Sequence, residues 1–158
     1  MRILVVSDTH GDAHALEQAI LAQPSVRTVV HLGDGAREAE EMEARFPDYT
    51  FLCVRGNGDF SAGGSLVYAR DEICGGKRLF LTHGHLYDAK MGLYRLVCAA
   101  RERQADILLF GHTHQPLIDY DNGLHILNPG SLHGSGGTYG TVDITPAGIV
   151  LNIVRNRL

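Results

Sequence analysis

Five short clusters carry most of the polar chemistry of this chain: Asp8-Thr9-His10, Gly33-Asp34, Asn57-Gly58-Asp59, His83-Gly84-His85 and Gly111-His112-Thr113-His114. Carboxylate, imidazole and carboxamide oxygen are donors that borderline divalent ions accept, and the absence of thiolate argues against a structural zinc site. In an extended backbone residues i and i+2 point the same way, so Asp8 and His10 would converge on one point. Taken singly, each cluster has an ordinary reading as a loop carboxylate, a helix cap, a turn asparagine or a hydrogen-bonded histidine. Taken together, Asp8, His10, Asp34, Asn57, His83, His112 and His114 are too many donors for one such ion. They fit two ions that share a bridging carboxylate. Asp59 is expected to orient the Asn57 loop from behind. His85, two residues beyond His83, and His133 in a glycine-rich loop are candidates to protonate a leaving group.

Each cluster directly follows a run that reads as a strand. Ile3 to Ser7 is aliphatic and β-branched, too short for a helix, and typical of a strand buried on both faces. Asp12 is placed to cap a helix over Ala13 to Gln23 that Pro24 ends. Thr28 to Leu32, a helix over Ala36 to Phe46, and Thr50 to Val54 complete a β-α-β-α-β unit with parallel strands. A flexible loop, Ser61-Ala62-Gly63-Gly64-Ser65, precedes strands Leu66 to Ile73 and Arg78 to Thr82, which a Gly-Gly hairpin joins. A helix over Lys90 to Arg103, with Gly92 a weak point, leads to a strand at Ile107 to Phe110. Short strands follow at Leu117–Tyr120, Leu124–Leu127, Thr138–Ile144 and Ile149–Val154. In an open α/β sheet ligands bind at the carboxyl ends of strands, so five strand ends can share one edge.

At 158 residues the chain fits one domain spanning 1–158, with neither linker nor repeat. The net charge of −4 disfavours non-specific binding to nucleic acid, which needs basic surface to displace counterions. Cys53, Cys74 and Cys98 are far apart and read as reduced thiols in or near the core, which points to a cytoplasmic protein. No run approaches the length of a membrane span, and the first strand is no leader segment.

The ordered set D-x-H, G-D, G-N-x-D, H-G-H and G-H-x-H resembles the calcineurin-like metallophosphoesterase superfamily. The short length and Asn128-Pro129-Gly130-Ser131 resemble its small single-domain phosphodiesterase branch, which is also similar to the retromer scaffold subunit. The resemblance covers Ile3 to about Ser131. It implies an α/β fold, a two-sheet β-sandwich flanked by helices, with two metal ions at one edge and manganese the expected metal ahead of iron(II), zinc or nickel. It further implies that Asp8, His10 and His114 hold one ion, that Asn57, His83 and His112 hold the other, and that Asp34 bridges. Two departures stand out. The superfamily commonly has histidine after the motif asparagine, where this chain has Gly58. The basic residue that often follows Asn-Pro-Gly-Ser is replaced by Leu132-His133.

Charge counting favours a diester substrate. Two divalent ions with Asp8 and Asp34 leave +2, a hydroxide leaves +1, and a phosphodiester monoanion neutralises the remainder. The expected activity is metal-dependent hydrolysis of a small phosphodiester, with Asn57 and His85 as candidate catalytic groups and no membrane or nucleic-acid partner. A homo-oligomer is compatible with the sequence. The competing readings are a non-catalytic interaction scaffold, a phosphomonoesterase and a nuclease.

Overall fold

The structure is a computed structural model that describes residues 1–60 and 64–157. The loop expected at Ser61-Ala62-Gly63-Gly64-Ser65 therefore falls in part, at 61–63, outside the described residues. The first half alternates as expected: β1 (Arg2–Val6), α1 (Ala13–Leu21), β2 (Thr28–His31), α2 (Ala36–Arg45) and β3 (Thr50–Cys53). Then follow β4 (Ala69–Cys74), β5 (Lys77–Thr82), α3 (Tyr94–Glu102), β6 (Ile107–Leu109), β7 (Leu117–Asp121), β8 (Leu124–Asn128), β9 (Thr138–Thr145) and β10 (Gly148–Arg155). They form two five-stranded mixed sheets, ordered β10-β9-β1-β2-β3 and β4-β5-β6-β8-β7. Strands β1, β2 and β3 run parallel, as do β5, β6 and β8, while β9 is antiparallel to β1 and β10, β4 to β5, and β7 to β8.

Alternation along the buried strands builds three layers of packing. Ile3 and Val5, with Val142 of β9 in the same sheet, face the second sheet, where they meet Leu79, Leu81, Ile107 and Leu109. Leu4 and Val6 point the other way, onto Leu16, Ala19 and Ile20 of α1 and Met42 of α2. The second sheet repeats the scheme, with Phe80, Leu108 and Ile126 covered by Leu96, Ala99 and Ala100 of α3. Both central strand sets are thus apolar on two faces, which is why they read as continuous aliphatic runs rather than alternating ones. Asp12 caps α1 through the Ala15 amide, as its position suggested.

Three expectations are corrected. The helix expected from Lys90 begins at Tyr94, because Gly92 takes φ 135° and ψ 179° and breaks the turn; short 3₁₀ turns at His85–Tyr87 and Ala89–Met91 come before it. The strand expected at Leu66 starts at Ala69 and runs on through Cys74. Cys98, expected in or near the core, is exposed, whereas Cys74 is buried and Cys53 partly so. Among the described residues no helix is long and apolar enough to cross a membrane.

Candidate metal centre

The carboxyl ends of β1, β2, β3, β5 and β6 do share one edge, and the candidate side chains meet across the gap between the two sheets. Asp8 Oδ1 lies 3.1 Å from His114 Nε2, 3.5 Å from His10 Nε2 and 3.8 Å from His83 Nε2. His10 Nε2 and His114 Nε2 are themselves 3.1 Å apart. Asp34 Oδ2 is 3.5 Å from His83 Nε2, and Asn57 Oδ1 is 3.0 Å from the same nitrogen. Asp8, His10 and His114 form one group with metal-ligand spacing, and Asp8, Asp34 and His83 form another. His112 joins neither group through its ring nitrogens, but its ring packs 5.0 Å from that of His83. Asp8 belongs to both groups and Asp34 to one.

The convergence does not come from extended backbone, as the D-x-H spacing had suggested. Asp8, His10, Asp34, His112 and His114 all have φ between +46° and +69°. They are five of the eight non-glycine residues with positive φ among the described residues. Left-handed backbone costs an L-residue roughly 1–2 kcal/mol, and it persists only where the surroundings over-determine it. Here the surroundings are visible. The Asp8 and His10 amides donate to the carbonyls of Gly33 and Asp34, which locks the first two loops together. Ser131 Oγ donates to the Asp8 carbonyl, and Asn128 Nδ2 donates to Gly111 O and Thr113 Oγ1, tying the loop after β6 to the end of β8.

Asp59 accepts four backbone amides, from Asp34 and Gly56 on Oδ2 and from Gly35 and Ala36 on Oδ1, at 2.8–3.0 Å. Burial alone would raise its pKa, but the amides of Ala36, Gly56 and Asp34 outweigh that and hold it below the usual carboxylate value. One side chain therefore fixes the Asp34 loop, the Asn57 loop and the first turn of α2. Close approach matters here too: a Cβ at Gly56 would lie 2.1 Å from Asp34 Oδ1. Asp59→Asn keeps the size but turns an NH₂ toward donors, and should cost about 3 kcal/mol at neutral pH. Because the folded pKa is lowered, this stability is complete above the ordinary value of 3.8 and is lost as pH falls through the folded one. Urea unfolding of the variant checks it, and a midpoint equal to wild type would refute it.

The sequence reading missed a second buried network. His31, 1% exposed, accepts the Gly33 amide on Nδ1, so in the neutral ring Nε2–H donates to Thr9 Oγ1, which in turn donates to Glu38 Oε2 at 2.9 Å. Burial pushes the His31 pKa down, consistent with that neutral form. The network supports Thr9, which sits between two candidate ligands. Its signal was an imidazole inside an otherwise apolar strand run.

His85 lies beyond the centre, its ring 5.4 Å from His83 and 6.1 Å from His112, with Nδ1 buried and unpartnered. It opens a 3₁₀ turn rather than continuing an extended segment. His133 Nδ1 bonds to the Thr9 carbonyl at 3.1 Å.

Residues 1–146 match the profile of the calcineurin-like phosphoesterase superfamily domain. The chain belongs to that superfamily. Among its members, a probable metallophosphoesterase, YsnB, from Bacillus subtilis is 32% identical over 84% of this chain and 75% of its own length. The phosphodiesterase YfcE of Escherichia coli is 30% identical over 90% of this chain and 88% of its own. In structure, a predicted phosphoesterase from Streptococcus pneumoniae superposes with a TM-score of 0.80 at 30% identity, covering 98% of this chain and 89% of that one. Vps29 of Chaetomium thermophilum shares the superfamily fold, with a TM-score of 0.75 at 17% identity over 100% of this chain and 98% of its own.

The donor set fits divalent ions on grounds internal to the structure. Asp8 and Asp34 are 0% and 7% exposed, and the ion-pairing groups found beside them among the described residues are the imidazoles of His10, His83 and His114. Two buried carboxylates side by side need a cation, since desolvation and mutual repulsion both oppose their charge. His83 supplies the decisive detail. Its Nδ1–H donates to the Leu32 carbonyl at 2.7 Å, which leaves a bare Nε2 lone pair in the neutral ring. That lone pair faces Asn57 Oδ1, Asp34 Oδ2 and Asp8 Oδ1, all acceptors.

Proposed function

We propose that this chain is a phosphodiesterase that hydrolyses a small phosphate diester with two divalent ions bound at the edge of the sandwich. The observation that carries the reading is the cluster of acceptors around His83 Nε2, set beside the two buried carboxylates Asp8 and Asp34. Asp8, His10 and His114 would hold one ion, Asn57, His83 and His112 the other, and Asp34 would lie between them. Manganese suits the mixed nitrogen and oxygen donors, as do iron(II), zinc and nickel. Ions in such a cluster polarise a phosphoryl oxygen and bring a water toward neutral pKa.

The chain's own residues do the positioning. His83 is aimed by Leu32, the Asn57 loop is held by Asp59, and Asp34 Oδ1 accepts the Gly58 amide at 2.6 Å. A cleft of about 370 Å³ between His10, Asp34, Gly58 and Phe60 gives a small ester access to the cluster. The charge count balances with a diester monoanion, and the printed name of the E. coli relative, phosphodiesterase, agrees with that choice. A scaffold of the same fold would not need the ligands, yet all seven positions are filled. The net charge of −4 speaks against a nuclease.

Metal-stripped protein reconstituted with manganese, zinc, nickel or iron(II) tests the reading against aryl phosphodiesters and monoesters. Diesters should turn over, and faster than monoesters with the same leaving group. No diester hydrolysis with any of the four ions would refute it.

A further inference from the structure

On the far side of His112 lies a pocket that neither the metal cluster nor the fold uses. Its volume is about 630 Å³, and Lys90, Met91, Leu93, Thr113, Pro116 and Leu117 line it. Thr113 stands between His112 and His114, so the pocket begins where the cluster ends. Its other wall is the 3₁₀ turn Ala89–Met91, which is pressed against the His83 loop. Gly84 permits that contact: it has φ +107°, and a Cβ there would lie 3.0 Å from Ala89 Cβ and 3.6 Å from the Phe110 ring.

The lining sets the apolar side chains of Met91, Leu93, Phe110, Pro116 and Leu117 beside the polar ones of Thr113 and Gln115, with one positive charge at the rim. Lys90 is exposed, and among the described residues it makes no ion pair. The nearest acid in its own segment, Asp88, is taken by Arg95 Nη1 at 2.5 Å. Several other cations are committed. Arg55 stacks over Tyr68, Arg70 pairs with Glu72, Arg101 with Asp121 and Arg103 with Asp71. Residues after Asn-Pro-Gly-Ser offer none, since Leu132 is buried and His133 bonds to Thr9 O.

We propose that this pocket receives the second ester arm of the substrate, and that this arm has an apolar body ending in an anionic group that meets Lys90. The inference rests on the phosphodiesterase reading above and narrows it to diesters of charge −2. The scissile phosphate monoanion balances the metal cluster, so the ammonium at the pocket rim is left for a second negative charge. Met91, 89% exposed, together with Leu93, Pro116 and Leu117, then covers the apolar part of the arm.

The test uses two diesters with the same 4-nitrophenyl leaving group, one with a phenyl arm and one with a carboxyphenyl arm. The quantity read is the ratio of their kcat/KM values, so that any general loss of activity cancels. Wild type should favour the carboxyphenyl ester. Lys90→Ala should lower the ratio about tenfold, the scale of one charge-assisted hydrogen bond, with the change in KM rather than kcat. Lys90→Arg should restore most of it. Lys77→Ala removes the same charge at the start of β5, roughly 17 Å of strand from Thr82 where the His83 loop begins, and should leave the ratio as it was. Turnover of both esters with a ratio that Lys90→Ala does not move overturns this inference and leaves the phosphodiesterase reading standing. Failure of the metal-loaded wild type to hydrolyse either ester overturns both.

Discussion

Asp34→Asn should lower turnover by more than about 100-fold and reduce bound metal in the same step, since even partners behind a ligand are worth 10- to 100-fold. The substitution separates the metal role of this residue from its structural one. Asp34 Oδ1 accepts the Gly58 amide and Oδ2 faces the bare Nε2 of His83 at 3.5 Å. An asparagine can keep its carbonyl on Gly58 and present its NH₂ to His83, which gives the lone pair a donor. The charge beside Asp8 is also removed. The metal-free variant should therefore melt at or above the temperature of the metal-free wild type, while ion binding and activity fall together. Metal analysis of the dialysed protein, thermal melts and diester kinetics measure the three quantities. A variant that retains two tightly bound ions and near-normal turnover would sink the assignment of Asp34 between the ions.

The second large effect concerns the leaving group. A well-placed general acid is typically worth about 10²–10⁴-fold, and none is in position. Gly58 has no side chain. His133 is bonded to Thr9 O, and burial followed by the neighbouring His83 lowers the pKa of His85, which keeps its imidazole neutral and a poor acid. Charge must then accumulate on the departing oxygen. Turnover should depend steeply on leaving-group pKa, with aryl diesters far ahead of alkyl ones. Gly58→His should raise the alkyl-to-aryl ratio, but at a cost to both rates, because its Cβ would lie 3.1 Å from the Asp34 carboxyl. A graded diester series on wild type, His85→Ala and Gly58→His measures this. A flat series in wild type would refute it, and a series that His85→Ala turns steep would identify His85 as the acid.

Much of this architecture was legible because the central strands are buried on both faces. Ile3 to Val6 and Ile107 to Leu109 have no reason to carry polar residues, so the first donor after each run marks its end. That is also why all seven candidate ligands could be named before their geometry was known. The parts that were not legible depend on tertiary partners. Asp8 and His10 converge through left-handed turns held by Gly33, Asp34 and Ser131, residues distant in sequence, whereas local spacing suggested an extended strand. Helix α3 lost its expected first turn because Gly92 adopts a conformation closed to other residues. Asp59 was expected to orient the Asn57 loop, but its hold on the amides of Asp34, Gly35 and Ala36 was not foreseen, since a segment distant in sequence is invisible in the chain order. His31 and Glu38 were passed over because neither lies in a motif.

The candidate ligands are divided between the two sheets. Asp8, His10, Asp34 and Asn57 follow strands of the first, and His83, His112 and His114 follow strands of the second. Neither half of the sandwich holds a complete coordination sphere, so affinity for an ion depends on how the sheets are docked. Substitutions in the layer between them, at Val142 or Leu127 for instance, would reach the metal centre without touching it. A metal titration on this protein thereby becomes a gauge of packing deep in the sandwich, and its ion supply becomes one of the forces that clasp the two sheets together.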